Sequence, residues 1–484
     1  MRARLFLIAL ASATLACTTL LPRTGLRVTP IVVTATPARR ATAIPGRTAT
    51  PFSDATATPF SQTNSGLPQC AFVPGQSVPA NIPLLASATP FPYPTPEPPT
   101  QSHASPAATL RQLRVFQALW DAVNENYVYP DFNGRDWQAI GDRYEAYVRA
   151  GLSDENFYST MDAMLFELGD EHSFYESPQA AAESDAEYAG HNDFVGIGIM
   201  YAPVFVEKRA TIIFTFLDSP AAEAGLQPHD WILEVDGQPA LDEYGELRST
   251  LGPEGTTLNL TVAHPGGEPF ELTLTRRRIT GAVPISYCMV PGTRLAYIFL
   301  PGLDDETIPD QVRAALEELT ADEPLEGLIL DNRQNGGGAS TVLEELLSFF
   351  TEGEVGQFTS RVETRPMVIL GEDIGGSQAV PLVVLVSPDT ASYGEVMSGV
   401  LQNTDHARVV GETTLGNVET LWGYNFEDES RAWIAQETFQ PYDLPNGIWE
   451  KTGIVPDVIA PTRWDLFTEQ DDPAVAVAID LLEK

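Results

Sequence analysis

Residues 381–395 read PLVVLVSPDTASYGE. Their first part, residues 382–386, is a short unbroken apolar run, the pattern of a strand buried on both faces. Ser387, Pro388 and Asp389 end it as a turn cluster. A helix is expected from about Ser392, with Val396, Val400 and Leu401 on one face and Glu395 in its first turn. A serine at such a strand-to-helix turn lies beside backbone N–H groups that the helix leaves unpaired, at the end favoured by negative charge. That placement suits a nucleophile whose product is an oxyanion. Within this stretch alone the simpler account is that Thr390 or Ser392 only caps the helix.

The same texture extends outward. From residue 283 to the end, strands and helices alternate as in an α/β unit. Strands are expected at 295–300 and 327–330, and helices at 309–319 and 341–350. The strand at 327–330 runs into Asp331-Asn332-Arg333-Gln334-Asn335-Gly336-Gly337-Gly338. Three glycines after a strand let a backbone N–H approach a ligand closely. The Lys-Ser/Thr pair of a phosphate-binding loop is missing, so the run fits an oxyanion site or turn geometry alone.

Upstream, residues 192–279 show short strands (210–216, 231–235, 257–263, 271–275), turn signals and a short helix at 220–224, a small β-rich unit. Before it, Leu110, Leu113, Val115, Phe116, Leu119, Trp120 and Val123 recur at helical spacing. Further helices are expected at 137–150 and 156–168, the last with Ser153 as a cap, which makes residues 106–178 a helical bundle. It exits through Gly169-Asp170-Glu171-His172, followed by an acidic, Ala-rich loop at 176–190. His172 is expected on a loop, because Gly169 should end the helix.

The first hundred residues are different. Arg2 and Arg4 precede an apolar run too short to span a bilayer, which reads as an export signal over residues 1–17. Thr14-Leu15-Ala16-Cys17 resembles a bacterial lipobox, with Cys17 the lipid-bearing residue. Residues 18–105 are rich in Thr, Pro and Ala, repeat Ala-Thr-Pro-Phe three times and are expected to be a disordered tether, with the more apolar stretch Cys70–Leu85 as the part able to dock onto a domain. Cys70 and Cys288 remain, an even pair that fits an oxidising compartment, either bonded or as two buried thiols. Net charge is −38, and all but two of the 66 acids lie after residue 105. Such a surface repels nucleic acid and anionic membranes, so neither is an expected partner. No metal-ligand cluster or nucleotide motif is visible, and no cofactor is expected.

Two segments, Ser219-Pro220-Ala221-Ala222-Glu223-Ala224-Gly225-Leu226 and Asp230-Trp231-Ile232-Leu233-Glu234-Val235-Asp236-Gly237, resemble a PDZ domain. The Gly196-Ile197-Gly198-Ile199 loop would then hold a peptide's terminal carboxylate and the edge strand would pair with its backbone. A unit that merely packs on its neighbours is the alternative. Taken with Gly169–His172, Asp331–Gly338, Thr390-Ala391-Ser392-Tyr393-Gly394-Glu395 and Gly453-Ile454-Val455-Pro456-Asp457, the chain resembles the C-terminal processing (tail-specific) serine peptidases. The resemblance runs from Ala107 to about Ala460. It implies α/β and α+β multidomain architecture, with a helical bundle, a PDZ-like domain and a peptidase core at 281–484. It also implies Ser392 as nucleophile, with the N–H of Tyr393 and one from the glycine run, assigned to Gly337, as the oxyanion hole.

Bacterial members of that family pair the serine with a lysine, but Asn417 stands in its place, in Thr414-Leu415-Gly416-Asn417-Val418-Glu419. An amide cannot take a hydroxyl's proton at neutral pH. The chain has three lysines, Lys208, Lys451 and Lys484. The tricorn core protease branch uses Ser, His and Glu instead, and the matching positions are His172 and Glu450. His172 would act as general base and Glu450 would hold the imidazolium. Glu171 replaces a serine of that branch, and an acid there would raise the imidazole's pKa. Lys451, His406 and Asp389 are weaker candidates, and Glu395 is expected to balance the helix. The two functional classes are therefore an exported serine endopeptidase acting on polypeptides or their C-termini, attached to a membrane only through Cys17, and an inactive relative that holds peptides.

Overall fold

A computed structural model describes residues 66–72, 74–75, 78–79, 82–84, 104–170, 172–242, 247–442 and 449–484, with the backbone of a two-residue strand at Pro30–Ile31. The export signal, Cys17, the Ala-Thr-Pro-Phe repeats and Glu171 lie outside the described residues.

Local chemistry sets the three N-terminal helices. Pro106–Asn126 starts on a proline, with Ser105 Oγ accepting from Ala108 N. Trp137–Arg149 is capped by Asp136, and Asp154–Phe166 by Ser153 with two acids in its first turn. Side-chain caps of this kind satisfy N–H groups that the helix cannot. The bundle does not close its own core. Its apolar face, including Phe116, Leu119, Tyr127, Met161 and Leu165, packs with Tyr424, Phe426, Ala432, Ile434 and Ala435. Those residues belong to the antiparallel pair Glu419–Asn425 and Arg431–Pro441 or, for Phe426, to the turn that joins them, so the helices are seated on strands that follow the serine turn.

The acidic loop expected at 176–190 is instead mostly helix, Pro178–Tyr188. Ser177 Oγ accepts from Ala180 N, Pro178 opens the helix, and Gln179 donates to Glu183 one turn on. Alanines with a proline start and a serine cap outweigh the acidic charge. Glu176 is in a short strand, Phe174–Glu176, that pairs with Arg431–Trp433.

The β-rich unit carries a sheet in the order Ile199–Val204, Arg209–Thr215, Trp231–Val235, Thr257–Ala263, Phe270–Thr275, while Asn192–Gly196 pairs with Arg277–Gly281. It is fastened to the C-terminal core by aromatic and polar contacts. His229 stacks on Trp464 with ring centroids 4.1 Å apart, and its Nδ1 lies 2.8 Å from Trp464 O. Trp464 donates to Ile212 O, Trp231 donates to Asp465 O, and Arg209 pairs with Asp465 at 2.6 Å.

The C-terminal core holds a sheet in the order Ser286–Met289, Leu295–Phe299, Gly327–Asp331, Leu382–Val386, Ala407–Gly411, Val458–Ile459. Only the first of these pairings is antiparallel. Every residue of Gly327–Asp331 and Leu382–Val386 is buried, as their unbroken apolar pattern requires of central parallel strands. Cys70 and Cys288 form a disulfide, and residues 68–70 hydrogen-bond along Met289 beside it. The N-terminal segment is thereby tied to the sheet edge.

Candidate active site

The site lies at the carboxyl ends of Gly327–Asp331 and Leu382–Val386, where open α/β sheets place their ligands. Ser392 occupies the N-cap position of helix Tyr393–Asn403, with φ 52° and ψ −128°. A non-glycine residue held at positive φ costs about 1–3 kcal/mol, and such strain gathers at functional sites. The hydroxyl does not cap the helix, and Thr390 Oγ donates to Asn332 O instead. Ser392 is half-buried.

The Asp331–Gly338 loop is bolted to this turn. Asn332 Nδ2 donates to Gly394 O and Ser398 Oγ at 2.7 Å, Ala391 N donates to Asn335 O, and Ser387 Oγ donates to Arg333 O. Gly337, at φ 102°, touches the serine: a Cβ on it would lie 2.6 Å from Ser392 Cβ and 2.9 Å from Oγ. Gly337→Ala is therefore expected to lower peptidase activity by about 10²-fold or more with little effect on stability outside this loop. Near-normal steady-state rates in that variant would contradict it. In this conformation the Gly337 N–H donates to Asn335 Oδ1 at 2.9 Å. The Tyr393 N–H is at the first helical position, where helices leave donors unpaired.

On the other side, Ser392 N donates to Asn417 O at 2.9 Å. Asn417 belongs to a loop braced by Glu395, which accepts from Thr414 Oγ1, Gly416 N and Asn417 N. Glu395 thus does more than balance the helix dipole. Asn417 Oδ1 is buried and unpartnered. Two residues on, Glu419 Oε2 lies 3.5 Å from His172 Nδ1. His172 is held by an Asx turn: Asp170 accepts from His172 N and Ser173 N, and Ser173 Oγ accepts from Ala435 N. Glu450 is buried, accepts from Val418 N at 2.9 Å and hydrogen-bonds Glu419. Tyr129, from the bundle, donates to Glu419 Oε1 at 3.0 Å. Lys451 Nζ lies over the Tyr129 ring, 5.5 Å from its centre. The fold therefore brings Ser392, Gly337, Tyr393, His172 and Glu450 into one neighbourhood, joined through residues 416–419. The sequence reading missed Glu419 and Tyr129. An acid two residues past Asn417, the position of the missing lysine, was the available signal for the first, and nothing in the pattern marks the second.

Burial dominates the electrostatics. It pushes the His172 imidazole down, against the raising effect of Asp170, Glu450 and Glu395. Burial raises Glu450 to about 8, helped by Glu419, and raises Glu395 to about 7. Glu419 also rises, through burial and Asp170. An acid whose pKa is raised on folding contributes stability that is fully present below its unfolded value and is lost as pH climbs through the folded one. Melting temperature is accordingly expected to fall between about pH 5 and 8.5, and Glu450→Gln should flatten that fall. An unchanged slope in a thermal series would contradict it.

Residues 294–460 match the model of peptidase family S41, residues 110–166 that of the tricorn protease C1 domain, and residues 217–264 that of a PDZ domain. A carboxyl-terminal-processing protease of Synechocystis sp. is 30% identical over 400 residues, which span 78% of this chain and 88% of that protein. The chloroplastic carboxyl-terminal-processing peptidase 2 of Arabidopsis thaliana is 27% identical over 360 residues, 71% of this chain and 68% of that protein. Among solved structures, the photosystem II D1 C-terminal processing protease shares the fold, with a TM-score of 0.51 at 24% identity over 72% of this chain and 93% of that one. The serine turn, the glycine loop and the PDZ and bundle regions stand in the order these matches require, and the chain belongs to peptidase family S41.

Proposed function

We propose that this chain is an exported serine peptidase that cleaves polypeptides by acyl transfer and takes hold of them by their carboxyl termini. The observation that carries the reading is Ser392 itself: a strained residue at a helix start, its hydroxyl unused as a cap and flanked by Gly337 and Tyr393 N. Ser392 Oγ attacks the scissile carbonyl while His172 takes its proton, and the imidazolium then protonates the leaving amine. Water hydrolyses the resulting ester by the same route in reverse. The developing oxyanion is met by the Tyr393 N–H and by the Gly337 N–H, which must turn from Asn335 Oδ1 to reach it. Glu450 lies in the acid set behind the imidazole.

The PDZ unit supplies the hold. Gly198 is at φ 75°, where a Cβ would strike Ser219, and Ile199–Val204 is the outer strand of its sheet. A Gly-rich turn beside an open strand edge suits a terminal carboxylate and an added peptide strand, with Gly196, Ile197, Gly198 and Ile199 as the contact loop. Export is supported by the Cys70–Cys288 disulfide, a bond that persists in oxidising compartments. Attachment through a lipid on Cys17 completes the proposal.

The test is hydrolysis of an unstructured polypeptide offered with a free or an amidated C-terminus. Cleavage is expected, faster for the free carboxylate, and absent in Ser392→Ala. Cleavage that survives Ser392→Ala, or no cleavage of either form at any pH, would overturn the proposal, the latter in favour of a peptide-holding scaffold.

A further inference from the structure

We propose that Glu419, oriented by Tyr129 and by a proton-bearing Glu450, is the residue that positions His172 for catalysis. The inference rests on the reading of His172 as base and adds a division of labour between two acids. Its first ground is contact. Glu419 Oε2 faces His172 Nδ1 at 3.5 Å, and both atoms are buried with no hydrogen-bond partner among the described residues. Two buried polar atoms facing each other unpaired are costly unless a small closure of the gap joins them in the working state. His172 must carry its proton on Nδ1 if Nε2 is to accept from Ser392, so Nδ1 needs an acceptor, and Glu419 Oε2 is free to serve.

The second ground is the arrangement of protons around the pair. Two carboxyl groups in direct hydrogen bond must share one proton. Glu419 Oε1 already accepts from the Tyr129 hydroxyl, and Glu450 Oε2 accepts from Val418 N. The arrangement closes when the remaining oxygen of Glu450 carries the proton and donates to Glu419. Burial also lifts Glu450 higher than Glu419, in agreement. A protonated Glu450 is neutral and cannot hold an imidazolium, whereas Glu419 is left as the anion that can. Among the described residues, the charged and titratable groups facing this set are Asp170 on the His172 turn, Glu395 on the serine helix, Tyr127 and Tyr129 from the bundle, and Lys451 beside the Tyr129 ring. Tyr129 makes the bundle part of the machinery: a phenol on the loop after its first helix fixes the acid that aims the base.

The test compares Glu419→Gln and Glu450→Gln in the full chain, reading kcat/KM against pH on one peptide substrate. Glu419→Gln should lower kcat by about 10²–10³-fold with KM little changed. The acid limb of its profile should move to lower pH, because the anion that favours the imidazolium is gone. Glu450→Gln keeps a donor toward Glu419 and should lose activity by a clearly smaller factor than Glu419→Gln, about 10-fold, with the acid limb held in place. Glu419→Asp, which keeps the charge, should hold the limb in place even if the rate falls, and it guards against a Glu419→Gln variant that folds poorly. The reverse ranking, or a Glu419→Gln loss with no movement of the limb, would overturn the proposal. His172→Ala in parallel separates the failures: full activity there sinks the base reading itself, whereas an inactive His172→Ala with an unaffected Glu419→Gln sinks only the role of Glu419.

Discussion

His172→Ala is expected to lower kcat/KM for peptide hydrolysis by about 10⁴-fold or more while leaving the thermal midpoint within a few degrees of the parent. The size follows from what is left without it. Ser392 keeps its strained turn and its backbone neighbours, but Asn417 is an amide and Lys451 sits over the Tyr129 ring. The Ser392 hydroxyl then has only solvent to take its proton. The small stability cost follows from the His172 environment. Its ring nitrogen Nδ1 is buried without a partner among the described residues, so removing the ring breaks no hydrogen bond to them there. The 170–173 turn keeps its own bonds through Asp170 and Ser173. A loss below about 10-fold in initial-rate assays would show that another group takes the proton.

Arg333→Leu is expected to cost about 3–5 kcal/mol of folding stability. Arg333 is 1% exposed and lies between Asp331 and Asp472, with both of its terminal nitrogens and Nε bonded to their oxygens. Its guanidinium also lies over the Trp464 and Phe467 rings. Leucine in its place strands two buried carboxylates, one of which caps the last helix at Ala474 and Val475. The same arginine fixes the start of the loop that ends at Gly337, so activity should fall even at temperatures where the variant remains folded. Urea unfolding checks the first part, and a destabilisation under about 1 kcal/mol would contradict it.

Much of this could be read from the chain. Central parallel strands such as Leu382–Val386 are apolar throughout, and their bounds coincide with the run of Val and Leu. The starts of the three N-terminal helices followed their caps, Ser153 among them. The serine turn, the glycine loop and the His172 turn were each legible because each is a local pattern: a helix start, a run of glycines, a glycine stop. What the chain did not disclose depends on distant partners. Glu419 becomes a partner of His172 only because the bundle packs on the Arg431–Pro441 strand. The Cys70–Cys288 bond depends on residues 68–70 lying along Met289. The helix Pro178–Tyr188 was missed for a different reason, since its acids suggested a solvated loop although its alanines and its Ser177-Pro178 start favour a helix.

Reaction with a fluorophosphonate, followed by mass spectrometry of the digested protein, tests the pairing of hydroxyl and imidazole directly. The adduct is expected on the peptide carrying Ser392, and on no other serine, with labelling lost in His172→Ala although that variant still melts as a folded protein. An adduct that forms at the same rate without the imidazole, or one that maps elsewhere, would contradict the assignment of His172 as the base that activates Ser392.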